Sequence, residues 1–221
     1  MIVEARYATF ADLPELAELA ARTFPLASPQ DTDPDDIAHF IANNLMPEHF
    51  AAHLGADQTR IVVLYIAQAE NPEQPENPAQ VEDADAQPSA GKPNNQGTLR
   101  VGDPSVGNLR VGDLVGYALA IAGLAGTPDD SFGVTANPST YLSKFYVDPR
   151  AHGSHAASTL LAALKKVART DLGAASLWLA VNQGNARAIR FYEKNQFQRV
   201  GVKTMVVGTQ TFADYVYELQ L

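Results

Sequence analysis

Residues 146–161 read Tyr-Val-Asp-Pro-Arg-Ala-His-Gly-Ser-His-Ala-Ala-Ser-Thr-Leu-Leu. A β-branched and aromatic run, 141–147, precedes a turn that contains Pro149, and an Ala/Leu-rich amphipathic segment follows it. This order predicts a strand that passes into a helix through small residues. The first N–H groups of such a helix have no intrahelical partner and lie at the positive end of its dipole, so they can bind an anion. Taken alone, the stretch is better explained as an ordinary strand-to-helix connection.

The composition is that of a soluble globular protein. The chain has 221 residues, of which 46% are hydrophobic and 19% charged, enough for one well-buried core. We therefore expect a single domain over residues 1–221. The absence of cysteine excludes disulfides, thiolate metal ligands and a cysteine nucleophile. A net charge of −9 argues against a nucleic-acid partner, which calls for a basic patch.

The chain also carries no targeting or membrane signal that we can identify. The segment that starts at Met1 lacks the basic and apolar regions of a signal peptide. The longest apolar stretch, 114–126, is too short and too rich in glycine to cross a bilayer, which takes about 20 residues. We expect a cytoplasmic protein without a membrane partner.

Hydrophobic periodicity and turn residues predict an alternation of strands and helices. The predicted strands are 2–8, 60–68, 114–122, 140–147, 176–181, 197–207 and 213–221, and the predicted helices are 12–24, 35–45, 47–54, 157–169 and 185–195. Elements in this order imply a mixed α/β sheet with helices on both faces.

One segment differs sharply in composition from the rest. Residues 69–112 are rich in Pro, Asn, Gln, Glu, Asp and Gly, and the sequence Leu-Arg-Val-Gly-Asp occurs at 99–103 and again at 109–113. The segment offers too little apolar surface to offset the entropy of ordering it. It predicts a flexible insert between two strands rather than a domain boundary.

The predicted helix 185–195 has a face that combines polar and apolar groups. Asn185, Ala188, Ile189 and Tyr192 are spaced i, i+3, i+4 and i+7, so they lie on the same side of the helix. Taken singly, Asn185 is explained as an N-cap and Tyr192 as a core aromatic residue.

Together, residues 140–164 and 177–197 resemble the GNAT superfamily of acetyl-coenzyme A-dependent N-acetyltransferases. Residues 140–164 look like motif A of that family. Residues 177–197 resemble motif B, whose pattern is Asn-x-x-Ala-x-x-Phe-Tyr-x-x-x-Gly-Phe, with Gln196 in place of the glycine. The resemblance covers nearly the whole chain apart from 69–112, and it implies a GNAT-like, mostly antiparallel sheet.

Three further features look similar to bacterial polyamine (spermidine/spermine) acetyltransferases of the PaiA type. They are the pair of helices at 34–54, the dipeptide His152-Gly153 at the start of the loop, and the segment 207–217. The resemblance implies a small-molecule amine as acceptor, with a polyamine preferred. Residues 12–57, which contain nine acidic side chains and one basic side chain, would suit a cation, although a solvated acidic face is the simpler explanation.

In the family, a Gln/Arg-x-x-Gly-x-Gly/Ala loop cradles the pyrophosphate of acetyl-coenzyme A with backbone N–H groups. Counting back from Leu160 places His152 at the first position, His155 at the first glycine and Ala157 at the last position. An alternative register starts at Arg150. The residues that the resemblance implies for coenzyme binding are Phe145, Tyr146, Val147, His152, Gly153, Ser154, His155, Ala156, Ala157, Ser158 and Asn185.

Three residues depart from the family pattern. His155 stands where a glycine lets the backbone approach phosphate, so we expect a negative φ with the side chain turned away, or a direct contact of His155 with phosphate. Gln196 replaces the glycine that ends the last helix, so we expect Asn195 to adopt the left-handed conformation. Ser143 stands where relatives often carry Glu, which removes a common general base.

The resemblance also implies a mechanism. The amine attacks the thioester carbonyl in a ternary complex, and an N–H of the strand end near Phe145 to Val147 polarises that carbonyl. Tyr192 is the expected catalytic acid that protonates the leaving thiolate, and Asn185 orients the pantetheine arm or adenine-side groups. The general base stays open between Asp214, the acidic residues of 31–36 and a chain of water molecules.

Other acceptors and another class of protein remain alternatives. A protein N-terminus, an amino acid or an aminoglycoside would use the same chemistry, and a non-catalytic coenzyme A binder would explain His155 and Ser143. We expect no metal, because the histidines of 39–53 come without further ligands that we can place. A homodimer is left open.

Overall fold

The computed structural model describes residues 1–28, 32–68, 109–123, 128, 130–207 and 210–221. Most of the insert predicted at 69–112 therefore lies outside the described residues. Its last four residues, 109–112, belong to a turn in which the carbonyl of Arg110 accepts a hydrogen bond from the N–H of Asp113 (3.1 Å). The N–H of Gly112 donates to the carbonyl of Ile66 (2.9 Å), so these residues continue the sheet rather than the insert.

The helices and strands follow the order expected from the sequence. The strands are β1 (Ile2–Tyr7), β2 (Thr59–Gln68), β3 (Leu114–Ile121), β4 (Ser139–Val147), β5 (Ser176–Asn182), β6 (Gln198–Val207) and β7 (Gln210–Gln220). The helices are α1 (Leu13–Thr23), α2 (Pro34–Asn44), α3 (Pro47–Leu54), α4 (Ala156–Thr170) and α5 (Ala186–Lys194). None of the described helices is both long enough and apolar enough to cross a membrane.

The strands form one sheet in the order β1-β2-β3-β4-β5-β7-β6. All neighbours are antiparallel except β4 and β5, which run parallel. The pairing of β4 with β5 is confined to Ser139–Tyr141 against Ser176–Trp178. Beyond Tyr141 the two strands diverge, which leaves a gap in the middle of the sheet. The mixed, mostly antiparallel sheet is confirmed.

A β-bulge marks the point of divergence. The partner of Leu119 in β4 is Lys144, whereas the partner of Ala120 is Leu142, so Ser143 is one extra residue in β4. A bulge of this kind bends the strand and increases its twist. It therefore turns the second half of β4 away from β5.

Helices cover both faces of the sheet, as predicted. On one face α4 buries the apolar stripe that includes Leu160, Leu161 and Leu164, each at most 1% exposed. On the other face α1 and α3 bury Leu19 and Phe50, both fully buried. Each such side chain contributes about 1.5–3 kcal/mol through removal from water.

The expectation for the end of α5 is wrong. Asn195 has φ −94°, outside the left-handed region, and Gln196 itself takes the positive φ of +70°. The reason lies in the hydrogen bonds: the side-chain amide of Asn195 donates to the carbonyl of Phe191 (2.8 Å). That contact holds Asn195 in the last turn of the helix, so the reversal of the chain falls on the next residue.

Candidate active site

Two adjoining cavities occupy the gap between β4 and β5. The α4 cavity, of about 200 Å³, is lined by the end of β4, by His152 in the turn that follows and by Ala157 in the first turn of α4. The β7 cavity, of about 250 Å³, extends to Lys203 on β6 and Asp214 on β7. Six residues line both cavities: Ala27, Phe145, Tyr146, Asn185, Ala188 and Tyr192. Because the linings are shared, we interpret the two cavities as one passage through the gap between β4 and β5.

The turn between β4 and α4 ends in an open helix N-terminus. Asp148 starts the turn by accepting a hydrogen bond from the N–H of Arg150 (2.9 Å). The first intrahelical bond of α4 runs from Thr159 to the carbonyl of His155 (2.9 Å). The N–H groups of Ala156, Ala157 and Ser158 precede this bond, so they are oriented to bind an anion at the positive end of the helix.

The structure contradicts the expected negative φ of His155. This residue has φ +61°, in the left-handed region, and its side chain is exposed. A left-handed conformation costs a non-glycine residue about 1–2 kcal/mol. The exposed side chain agrees with the expectation that it turns away.

The surroundings of Arg150 and His152 distinguish the two registers considered for the loop. Arg150 binds the carboxylate of Asp148 twice, with Nη2 to Oδ2 at 2.7 Å and Nε to Oδ1 at 3.0 Å. Although burial opposes it, this pairing lowers the pKa of Asp148. His152 lies with Nε2 at 3.2 Å from the carbonyl of Val147 and lines the α4 cavity. The arrangement favours the register that begins at His152.

Arg187 is a residue of the α4 cavity that sequence reasoning missed. It is exposed on the first turn of α5 and lines the cavity beside His152. Burial and then the charge of Arg187 lower the pKa of His152, so the two side chains are close. The sequence could have indicated this residue, because it follows Asn185 by two positions and lies in the first turn of the helix that resembles motif B.

Asn185 and Tyr192 come together at the junction of the two cavities. Asn185 caps α5, because its Oδ1 accepts from the N–H of Ala188 (3.0 Å), as expected for an N-cap. Tyr192 is 7% exposed and packs edge-on against Phe145 and Phe197, with ring centroids at 6.3 and 5.3 Å. Its hydroxyl has no hydrogen-bond partner among the described residues. Burial raises the pKa of Tyr192, so the phenol keeps its proton.

The far end of the β7 cavity is built on three neighbouring strands. Asp214 on β7 lies directly opposite Asn182 on β5 and Lys203 on β6. It is 3% exposed, and within the described residues its Oδ1 lacks a hydrogen-bond partner. Burial raises the pKa of Asp214, against the opposing effects of the Lys203 charge and the neighbouring polar side chain of Asn182. The sequence had suggested Asp214 without any spacing argument.

An aromatic wall holds Lys203 at this end. Its Nζ lies 5.4 Å from the ring centroid of Phe132 and 5.9 Å from that of Tyr141. Tyr141 in turn stacks on Trp178 with ring centroids 4.2 Å apart. Cation–π contacts of this kind keep the ammonium at the cavity wall rather than in bulk solvent.

The structure does not bring every predicted site residue into the cavities. Five of them line neither cavity and belong to the turn before α4 or to its first residues: Gly153, Ser154, His155, Ala156 and Ser158.

The acidic residues of 31–36 are also absent from both linings, and Asp31 lies outside the described residues. Asp33 instead caps α2, through a hydrogen bond that its Oδ1 accepts from the N–H of Asp35 (2.9 Å). No group of three or more potential metal ligands occurs in the part of the chain that the structure describes.

Comparison with solved structures shows which proteins share this fold. The chain is similar to the PaiA N-acetyltransferase of Thermoplasma acidophilum in complex with coenzyme A, with a TM-score of 0.63 and 16% identity over the full length of both chains. It is also similar to Arabidopsis thaliana NAA60 in complex with a bisubstrate analogue, with a TM-score of 0.61 and 15% identity, covering 100% of this chain and 99% of the other.

Sequence comparison identifies the family of the chain. A sequence profile described as the Acetyltransferase (GNAT) family matches residues 60–197. An uncharacterized N-acetyltransferase of Mycobacterium tuberculosis (strain ATCC 25618 / H37Rv) is 33% identical over 210 residues, which cover 95% of this chain and 98% of the relative. The same values hold for an uncharacterized N-acetyltransferase of Mycobacterium bovis. The chain therefore belongs to the GNAT family of acetyl-coenzyme A-dependent N-acetyltransferases.

Proposed function

We propose that this enzyme transfers the acetyl group to a primary amine of a small molecule, preferably a polyamine, by direct attack in a ternary complex. The observation that carries the proposal is the passage formed by the two cavities. One end lies at the open N-terminus of α4, the other at the buried carboxylate of Asp214, and Tyr192 stands where they meet. An anionic coenzyme and a cationic amine would thus enter from opposite ends.

The α4 cavity suits coenzyme A in both charge and polarity. The N–H groups at the start of α4, with Arg187 beside them, can bind phosphate groups. The apolar lining that follows, from Phe145 to Val147 and along Phe191, can hold the pantetheine arm. We assign the predicted coenzyme residues 152–158 to the phosphates, and Phe145–Val147 together with Asn185 to the arm.

In this proposal, acetyl transfer takes place at the junction of the α4 and β7 cavities. Beyond Tyr141 the edge of β4 that faces β5 has no strand partner, so backbone N–H groups near Phe145–Val147 can polarise the thioester carbonyl. Tyr192 supplies a proton to the departing sulfur, because its buried phenol stays protonated. Asn185 has its Oδ1 engaged in the cap, so its amide NH₂ is the group that can donate to a ligand.

Support for a polyamine comes from charge. The acceptor end of the passage contains a buried carboxylate, and the chain carries a net charge of −9. The structural similarity to the PaiA N-acetyltransferase points in the same direction. One observation favours a second candidate: Lys203 lines the same cavity, and its ammonium would attract the carboxylate of an amino acid. Amino acids are therefore the second acceptor class.

Two measurements test the proposal in sequence. Calorimetry with acetyl-coenzyme A should show binding, and its absence would overturn the assignment of the α4 cavity. Thiol release is then followed with spermidine, spermine, amino acids, an aminoglycoside and a peptide with a free N-terminus. The highest kcat/KM is expected for a polyamine. Preference for the amino acids would favour the second candidate, and tight binding without turnover on any amine would contradict the proposed activity.

A further inference from the structure

The buried carboxylate at the end of the β7 cavity has an incomplete set of hydrogen bonds. Asp214 is 3% exposed, yet its Oδ1 has no hydrogen-bond partner among the described residues. A buried polar atom without a partner costs about 1–3 kcal/mol. A ligand that donates a hydrogen bond to Oδ1 would remove this cost. Because the atom belongs to a carboxylate that lines the cavity, the fitting donor is a cation.

The topology of the sheet holds Asp214 in place. β7 lies between β5 and β6, so the backbone of Asp214 is held by a paired strand on each side. Its two cross-strand neighbours, Asn182 and Lys203, also line the cavity. The three side chains therefore form a polar row in the lining of the β7 cavity.

We propose that Asp214 is a catalytic residue of the acetyl transfer: it binds the ammonium group of the acceptor and removes the proton that blocks its nitrogen. Asn182 is the positioning residue, since it lies directly opposite Asp214 on β5 and lines the same cavity. This inference rests on the proposed function, and it supplies the general base that the sequence left open.

Protons and electron pairs balance over the transfer. The carboxylate of Asp214 takes one proton from the ammonium, which leaves a neutral amine with a free electron pair. The amine nitrogen forms a bond to the thioester carbon, and the carbon–sulfur bond breaks with its electron pair going to sulfur. Tyr192 gives its proton to that sulfur and regains one from the acylated nitrogen. Asp214 then releases the first proton to solvent.

The groups that face Asp214 determine the pH at which it works. Lys203 approaches from β6, Tyr141 and Tyr146 from β4, and Tyr192 from α5 across the cavity. Burial raises the pKa of Asp214 and thereby makes it a stronger base, while the charge of Lys203 opposes this. Since the carboxylate is the active form, kcat/KM should fall as the pH drops through a pKa above the ordinary carboxyl range. Lys203→Met should move this decline to higher pH.

The test compares Asp214→Asn with the wild-type enzyme on two kinds of acceptor. With spermidine, which is an ammonium at neutral pH, kcat/KM should fall by about 100-fold or more, as general-base removal typically gives. With hydroxylamine, which is largely unprotonated at neutral pH, the loss should be less than about 10-fold, since no proton blocks its nitrogen. Acetyl-coenzyme A affinity by calorimetry should not change.

Asn182→Ala tests the positioning role separately. The polar side chain of Asn182 lowers the pKa of Asp214, so its removal should shift the acidic decline of kcat/KM to higher pH. A change in rate without any shift of the pH profile would contradict the role. The same pH shift in Lys203→Met provides a second measurement if Asp214→Asn does not fold.

The experiments distinguish a failure of the role assigned to Asp214 from a failure of the proposed function. Equal losses on spermidine and hydroxylamine, or no loss on either, would overturn the assignment of Asp214 alone. Failure of the wild-type enzyme to acetylate any amine would overturn the proposed function, and this inference with it.

Discussion

Tyr192 is 7% exposed and lines both cavities, and this position sets its expected role. Its ring is fixed by Phe145 and Phe197, whereas its hydroxyl lacks a partner among the described residues. We expect Tyr192→Phe to lower kcat by about 100-fold, since a positioned acid is lost. Acetyl-coenzyme A affinity should be retained, because the aromatic packing is kept. Steady-state kinetics and calorimetry check both expectations.

The matched control is Tyr65→Phe. Tyr65 lies on β2, lines neither cavity and donates its hydroxyl hydrogen bond to Glu4 (2.9 Å). This change should leave kcat within about 2-fold, because surface substitutions away from a site have small effects. An unchanged kcat in Tyr192→Phe would refute the acid role.

For Arg187 we predict an effect on the affinity for acetyl-coenzyme A. An arginine at the edge of the α4 cavity can donate a charge-assisted hydrogen bond to phosphate, worth about 1.5 kcal/mol or roughly 10-fold in Kd. Arg187→Ala should therefore weaken acetyl-coenzyme A binding about 10-fold, with a smaller difference at high salt. Arg190→Ala is the control, because Arg190 is also exposed on α5 but lines neither cavity. Equal effects of the two changes would mean that only the overall charge of α5 matters.

At the scale of secondary structure, Asn185 combines two tasks that substitutions can separate. Its Oδ1 caps α5, and its side chain lines both cavities. Asn185→Asp keeps an oxygen for the cap, whereas Asn185→Ala removes it at a cost of about 1 kcal/mol. We expect the thermal midpoint to fall only in the alanine variant, and acetyl-coenzyme A affinity to fall in both. Unaltered affinity in both variants would leave Asn185 as a helix cap only.

The sequence predicted features that depend on local spacing. Asn185 and Tyr192 could be placed on one face of α5 because the helical repeat fixes which residues are neighbours. The transition from β4 to α4 could be predicted for the same reason. The left-handed conformations of His155 and Gln196 could not, because both residues avoid positive φ in isolation and adopt it here within the folded chain.

Features that depend on the order of the strands in the sheet could not be predicted from the sequence. Asp214, Asn182 and Lys203 are neighbours only because β7 lies between β5 and β6. Strands that are distant in the chain can pair in many ways, and no local pattern selects this one. The bulge at Ser143 is a similar case, since a single extra residue leaves no mark in the apolar alternation of β4.

At the scale of the whole molecule, the insert gives a prediction of its own. β2 and β3, which the insert connects, are already paired close to its two ends. There the N–H of Ile66 donates a hydrogen bond to the carbonyl of Asp113 (3.1 Å). Replacing residues 69–108 with a short Gly-Ser linker should therefore preserve the fold. Thiol release should stay within about 3-fold of the full chain, since the described residues that line both cavities lie elsewhere.

The full chain assayed in parallel is the control for this deletion. Circular dichroism should show the same helix and strand signals in both proteins. A large loss of activity with an intact fold would mean that the insert contributes to a substrate site.

The divergence of β4 and β5 also has a consequence for inhibitor design. Because the two cavities share part of their lining, a ligand in one lies next to a ligand in the other. A single compound that joins an amine to the end of the pantetheine arm could occupy both at once. Tethering would give the amine a high effective concentration at its own end of the passage, commonly in the millimolar range for short linkers. Affinity would then exceed that of either half without any new contact, and the linker length of the tightest compound would measure the span from thioester to acceptor site.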